Sequence, residues 1–323
     1  MEIGVGETEP VVFSPAIEKN PEISAAMSMA VVSMEGYYDA LYRQVNKPKD
    51  NDKELVPESV IAFASSDNGV DFARSGIVPL KPTAEVNSID RIAVEDPTIV
   101  QLDGKYYVFH SAVSPKADGP GVEVAIQVVE GNSLGQLGTD KKVVLTPKDV
   151  QDSLGEKADM VKELEFYFGK DGLWHMIFEH TGNGRSEIAT AESPELTGHY
   201  RNFCPLLETR ENKWDSQHTS PGPLLFTSQG DILMFYNGRG PKSSEDETPT
   251  WSIGHVIIDG KTGAISNRAD KPIITPPNEI GPGNQLISFA NSITTDGDKK
   301  TNRLYYTVAD TRSAVASIFV NGI

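Results

Sequence analysis

The sequence predicts an all-β protein: a five-bladed β-propeller with four strands per blade, closed by its N-terminal strand. Three observations carry that expectation. An aromatic strand recurs five times, at Tyr37–Arg43, Tyr106–Ala112, Trp174–His180, Ile232–Gly238 and Leu304–Asp310. Each copy follows a turn signal and is flanked by apolar or β-branched runs. No long helical periodicity interrupts them. Short strands in units repeating every roughly 60–70 residues mark a propeller.

The elements follow in order. The first strand of each unit is an apolar run: Met27–Ser33, Thr98–Leu102, Leu164–Phe168, Leu224–Thr227 and Ile287–Ile293. The turns after them are Glu35-Gly36, Asp103-Gly104, Asp171-Gly172, Gly230-Asp231 and the longer Asp296–Arg303. Asp-Gly is the strongest of these signals, because glycine accepts φ > 0 at no steric cost. The aromatic strand comes next. The third strands are Val60–Ala64, Val122–Val129, Glu187–Ala191, Trp251–Ile258 and Ala314–Val320. Fourth strands ending near proline are expected at Gly76–Pro82, Lys142–Pro147, Pro205–Thr209 and Pro272–Pro276. The fifth unit reaches Ile323 without one. Pro10–Pro15 (PVVFSP) is similar to KVVLTP and PIITP and is expected to complete the last blade. The blades then span about 24–82, 94–147, 160–209, 218–276, and 284–323 with strand 10–15, in one domain covering 1–323. The polar inserts Asn46–Leu55, Gly131–Asp140, Asp149–Asp159 and Pro241–Thr248 read as loops, with room for a helical turn in the third. The charge runs Lys47–Lys53 and Lys242–Glu247 read as solvated loop.

Composition narrows the function. Against 46 Asp and Glu stand 29 Lys and Arg, a formal net charge of −17. A nucleic acid or an anionic membrane needs a basic face, so neither partner is expected. The single cysteine, Cys204, excludes an intramolecular disulfide. No apolar run reaches the roughly 18 residues of a membrane span, and MEIGVGETEP shows no signal-peptide pattern. A cytoplasmic protein is expected.

Antiparallel geometry brings the start of each inner strand beside the end of its aromatic partner. One mouth of the propeller should therefore gather Arg43; Glu95, Asp96, His110 and Ser111; Lys162, Glu163, Glu165, Glu179 and His180; His218, Ser220, Asn237 and Arg239; Asn284, Asn291, Asp310 and Arg312. The opposite hairpin tips carry ordinary turn residues such as Asp103, Gly104, Lys170 and Asp171. Ionisable groups concentrated at one mouth suggest a site. Carboxylates among imidazoles and guanidiniums suit sugar recognition and glycosyl transfer. One carboxylic acid protonates the leaving oxygen, and a second carboxylate serves as base or nucleophile. Arg and His hold hydroxyls, carboxylates or phosphate by charge-assisted hydrogen bonds. Plainer readings stand beside these. Asp96 also fits an Asp-Pro strand opening, the histidines fit structural roles, Arg312 fits a pair with Asp310, and Trp214 and Trp251 fit blade packing. No metal or cofactor motif is present.

These residues resemble glycoside hydrolase family 130, the five-bladed β-mannoside-active enzymes. Val94–Ala112 (VEDPTIVQLDGKYYVFHSA) resembles the family's second-blade Glu-Asp-Pro motif. Ser220–Gly238 is similar to its fourth-blade motif, Phe289–Ile318 to its fifth, and Leu41–Val45 to its first-blade Leu-Tyr-Arg-Ala. The resemblance implies a general acid at Asp96, a substrate-binding Asp at Asp310 and an Arg at Arg43, with Lys162-Glu163 standing for a Lys-Asp pair. Two departures stand out. Thr98 follows Asp96-Pro97 where the family usually has Arg, and Phe178-Glu179-His180-Thr181 replaces His-Arg-Pro. Phosphorylase members hold inorganic phosphate with basic residues near that second position. Glu179 would repel a phosphate dianion. The resemblance therefore implies cleavage of β-mannosides, with hydrolysis favoured over phosphorolysis. The expected catalytic residues are Asp96, Glu163 and Glu179, either glutamate acting as base. The expected oligosaccharide-binding residues are Arg43, His110, Lys162, His180, His218, Asn237, Arg239, Asp310 and Arg312. No cofactor is expected; inorganic phosphate is the co-substrate if the enzyme is a phosphorylase. The alternatives are a β-mannoside phosphorylase, a furanosidase of the family 43 or 32 type, and a non-catalytic sugar-binding propeller. The furanosidases usually carry a blade-one inner-strand Asp or Glu, which has no match in Ala25–Met34.

Overall fold

Apolar alternation sets the strands of this chain and tight turns set their order. The computed structural model describes residues 2–14, 16–20, 22–47, 58–117, 119–240, 248–296 and 301–321. The loops expected over 48–55 and 241–247 lie outside them. β1 (Glu2–Pro10) and β2 (Val12–Ser14) lead into a short 3-10 turn at Ile17–Lys19. Five antiparallel sets follow. The first is β3 (Ile23–Met34), β4 (Tyr37–Asn46), β5 (Ser59–Ser66) and β6 (Asp71–Arg74). The second is β7 (Ala93–Leu102), β8 (Lys105–Pro115), β9 (Val122–Ser133), β10 (Gln136–Leu137) and β11 (Lys142–Leu145), the last two both paired with β9. α1 (Pro147–Leu154) leads to β12 (Met160–Phe168), β13 (Trp174–Gly182), β14 (Arg185–Ser193) and β15 (Arg201–Leu207). The fourth set is β16 (His218–Phe226), β17 (Ile232–Arg239), β18 (Thr250–Ile258) and β19 (Ile265–Ser266). The last is β20 (Ile280–Gly281), β21 (Gln285–Thr295), β22 (Asn302–Val308) and β23 (Arg312–Asn321).

Parallel bridges join each third strand to the next first strand: Ser59 to Ala93, Val124 to Met160, Ser186 to His218, and Thr250 to Leu286. Apolar clusters fill the spaces between sets. Leu41, Ile61, Val94 and Val108 pack between the first and second, and Phe109, Leu164 and Phe178 between the second and third. Each large apolar side chain buried this way contributes about 1.5–3 kcal/mol. No helix among the described residues is long and apolar enough to cross a membrane.

Several outer strands differ from expectation. β1, not Pro10–Pro15, pairs antiparallel with β23, from Glu2 opposite Asn321 to Pro10 opposite Ala314. β2 lies parallel to β6 instead. Val11 and Phe13 are apolar because they plug the core beside Tyr42, Phe72 and Tyr305, with the Phe13 and Tyr42 rings 4.7 Å apart. Gly76–Pro82 and Pro272–Pro276 give only isolated bridges, Leu80 to Ile61 and Ile274 to Ile253. Proline has no N–H for a ladder, and Asp71–Arg74 and Ile265–Ser266 take the outer places. The insert Gly131–Asp140 is partly strand, because β9 runs to Ser133 and β10 follows. The helical turn forms as α1, begun by a capping box: Thr146 Oγ1 accepts from Asp149 N at 3.2 Å and the Asp149 carboxylate accepts from Thr146 N at 2.9 Å. Pro147 opens the helix and left-handed Gly155 closes it.

Candidate active site

Every inner strand slips register at the level of the cavity, β3 having a second slip between Ile23 and Ala25. The shifts fall between Met27 and Ala30 in β3, Glu95 and Thr98 in β7, Lys162 and Leu164 in β12, Pro221 and Leu224 in β16, and Ala290 and Ser292 in β21. Residues from all five slips, among them Ser28, Asp96, Glu163, Gly222 and Asn291, line one cavity. Three of the slipped residues hold left-handed backbone: Ser28 at φ 49°, Asp96 at φ 48° and Glu163 at φ 48°. A non-glycine residue held there costs on the order of 1–3 kcal/mol. A bulge re-aims the side chain it carries. Asp96 therefore does not open a strand, as its Asp-Pro suggested. It sits within β7 and is turned into the cavity.

Charge gathers around it. Arg43, from β4, reaches Glu95 Oε1 at 2.5 Å and Asp96 Oδ1 at 3.9 Å, while its Nε donates to Ser59 Oγ at 3.0 Å. Burial works against the Arg43 charge, but Glu95, Asp96, Asp310 and Glu163 more than offset it. Lys162 lies 3.7 Å from Glu179 Oε1. Glu179 foremost strengthens its hold on its proton, against burial, with Glu163, Asp96 and Glu95 adding. Burial pushes Glu95 and Asp310 up, each against the pull of Arg43. Glu163 is held well above the ordinary carboxylate range, first by burial, then by Asp96 beside it. Carboxylates outnumber the cations here, and such crowding favours the protonated form of a buried carboxyl. Glu165 lines the same cavity and is pushed up to about 8 by burial.

A second group stands beside this one. Glu179 is 1% exposed; its Oε1 accepts from Thr181 Oγ1 at 3.3 Å and its Oε2 has no partner among the described residues. Thr181 and Ser186 share a hydrogen bond of 2.8 Å, and Ser186 Oγ lies 3.1 Å from His218 Nδ1. Arg239 Nη2 meets His218 Nε2. Arginine only donates, so Nε2 is the acceptor and Nδ1 carries the imidazole proton. Burial, then Arg239 and Lys162, push His218 down to about 4, in keeping with a neutral ring. Arg239 also donates to Gln285 Oε1 at 3.3 Å and stacks 5.6 Å from the centre of the Trp251 ring.

Of the residues singled out by sequence, the structure brings together Arg43, Asp96, Lys162, Glu163, Glu179, His218, Arg239 and Asp310. Four others lie elsewhere. His110 is fully buried; Tyr106 and Val108, on its own face of β8, pack in the core between the first two sets. Burial, then Lys141, lowers it to about 4. His180 lines a different cavity with Glu156, Lys157, Arg185 and Glu187. Asn237 donates to Pro221 O and Ala290 O, both at 3.2 Å, and accepts from Ala290 N at 2.6 Å. It clamps two bulges and has no polar atom left for a sugar. Arg312 pairs with Glu279, not with Asp310. Trp214 stacks on Tyr236 at 5.3 Å, as packing predicts. Thr98, where the family pattern breaks, donates to Leu164 O at 2.9 Å and ties β7 to β12 just past both bulges. Sequence reasoning missed Ser28, Thr181, Ser186 and Gln285. Nothing in their local sequence marks them, because the bulges and the pairing of separate sets bring them in.

Comparison with known proteins follows the same lines. The model of the family described as beta-1,4-mannooligosaccharide phosphorylase matches residues 29–323. A 1,2-beta-oligomannan phosphorylase from Thermoanaerobacter sp. (strain X514) is 23% identical, over 97% of this chain and 96% of its own. The structure of a beta-1,2-mannobiose phosphorylase from Listeria innocua, in complex with beta-1,2-mannobiose, superposes with a TM-score of 0.73 at 20% identity, over 98% of this chain and 96% of that one. That of MPT-4, a mannose phosphorylase from Leishmania mexicana in complex with phosphate ion, gives 0.71 at 14% identity, over 97% and 88%.

Proposed function

The chain belongs to glycoside hydrolase family 130, and from that premise we propose that it cleaves β-mannosidic bonds by hydrolysis, with Asp96 as general acid. The proposal reads the five antiparallel sets as the blades of a single-domain five-bladed propeller. The observation that carries it is geometric: Asp96 and Glu163, each turned inward at a bulge, line one cavity with residues from all five inner strands, where burial and then Asp96 push the Glu163 carboxyl up.

In this reading the Asp96–Glu163 pair stores one proton. Asp96 passes it to the glycosidic oxygen as the bond from that oxygen to the anomeric carbon breaks. A water attacks the anomeric carbon and loses its proton to a base. Glu163, whose carboxyl burial and then Asp96 bias toward the protonated form, is poorly suited to that role. Glu179 suits it better: it is buried, has one free oxygen and is oriented by Lys162 and Thr181. Arg43, Asp310, Lys162, His218 and Arg239 would hold the sugar hydroxyls. The substrate class comes from the relatives, two of which act on or bind β-1,2-linked mannosides.

Phosphorolysis is the second reading, favoured by a specific observation. Lys162 and Arg239 both flank Glu179, and two cations beside one carboxylate leave a positive balance for an anion. Inorganic phosphate would then replace water as the nucleophile. The test is product analysis on β-1,2- and β-1,4-mannobiose with and without inorganic phosphate. Free mannose at an unchanged rate supports hydrolysis. Mannose 1-phosphate formed only with phosphate supports the second reading, and no cleavage of either disaccharide rejects both.

A further inference from the structure

At the far end of the third set, some 20 Å along β12 from Lys162 by strand rise, three side chains converge that the proposed reaction does not use. Asp171 lies in the turn between β12 and β13, His175 on β13, and Glu192 on β14 directly opposite His175 in the antiparallel ladder. One ligand atom from each lies within 4.8 Å of the others. His175 Nε2 is 3.0 Å from Asp171 Oδ2, while Asp171 Oδ1 is occupied by the backbone N–H of Leu173 at 3.1 Å. Tyr167 stacks flat on the imidazole, 4.6 Å away and 6° from parallel, which fixes the ring plane.

We propose that Asp171, His175 and Glu192 form a binding site for a divalent transition-metal ion, Zn²⁺ in the first place. One imidazole nitrogen and two carboxylate oxygens make a mixed set suited to such an ion. The stacked tyrosine holds the ring ligand in place, as an outer-shell partner does. The three residues face an open cavity whose wall also carries Cys204. Cys204 pairs with Thr190 across β14 and β15, so its thiol is on the Glu192 face. The Cys204 thiol donates to Pro205 O at 3.5 Å, so coordination positions on that side are left to water. The bound ion would pin the 169–174 turn to β14.

The test is calorimetric titration of the metal-stripped full chain with ZnCl₂, with MnCl₂ and CaCl₂ as further arms. One Zn²⁺ per chain is expected, with a rise in melting temperature. His175→Ala and Glu192→Gln should each weaken binding at least tenfold, and His199→Ala, on the exposed surface, should leave it unchanged. Glu192→Gln keeps an acceptor for Asn202 Nδ2, so it carries the test if His175→Ala fails to fold. Absence of saturable binding, or unchanged affinity in both variants, overturns the site. Ca²⁺ binding that His175→Ala does not affect overturns the imidazole as a ligand.

Discussion

Glu165→Gln should change the pH dependence of stability in a specified direction. Glu165 lines the central cavity, has no hydrogen-bond or ionic partner among the described residues, and is pushed from 4.5 up to about 8 by burial alone. In the unfolded chain the same group ionises near 4.3. Between those values the folded protein holds a proton that the unfolded chain has released, so wild-type stability falls as pH rises. The slope is about 1.4 kcal/mol per pH unit for one retained proton. From pH 5 to pH 8 the wild type should therefore lose up to roughly 4 kcal/mol relative to Glu165→Gln, which keeps the shape but cannot ionise. Urea unfolding of both proteins at pH 5, 6, 7 and 8 measures this. The curves should lie close together at pH 5 and separate toward pH 8, with the variant more stable. Parallel curves across that range would refute a buried, uncompensated carboxyl at this position.

Other outcomes follow from the same physics. Glu163→Gln removes the stored proton, so turnover on a cleaved mannoside should fall roughly 10²–10⁴-fold, the usual contribution of acid–base catalysis, while the melting temperature is kept or raised. In the wild type, activity should decline on the alkaline side as Glu163 gives up its proton; a pH–rate profile reads this. Asn237→Ala breaks three hydrogen bonds between the β16 and β21 bulges and leaves buried groups unpaired, each costing about 1–3 kcal/mol; chemical denaturation should show the loss. Deleting residues 2–10 uncovers the β23 edge, and an open edge invites pairing with other chains; light scattering should show aggregation that the full chain lacks.

The strands were legible because their signals are local. Asp103-Gly104, the strongest turn signal in the sequence, holds φ 50° and 76° as such a turn requires. The all-β class and the order of inner, aromatic and third strands follow from period-two patterning around such turns. The outer strands were harder to read. β1 is mostly polar and exposed, with only Ile3 and Val5 in apolar alternation, whereas the apolar Val11–Phe13 segment belongs to a core. The site was half legible. Asp96, Arg43, Lys162 and Asp310 came from motif and strand position. The bulges left no sequence mark, since Ser28, Asp96 and Glu163 are not glycines. A one-residue slip exchanges the two faces of a strand. Strand-end arithmetic fixes how far along its strand a residue lies but not which face it takes, so it sent His110 and Asn237 to the cavity, while the fold buries one in a core and uses the other as a clamp. Glu165 was placed at the mouth by strand position, two residues beyond Glu163, and it lines the cavity.

A proton delivered by Asp96 is what the proposed cleavage of a β-mannoside depends on. The direct measurement compares wild type and Asp96→Asn on β-1,2- and β-1,4-manno-oligosaccharides, with products identified and folding checked by melting temperature. The wild type should release mannose, and Asp96→Asn, equally folded, should lose activity by at least about 10²-fold. Wild-type turnover in Asp96→Asn would contradict it.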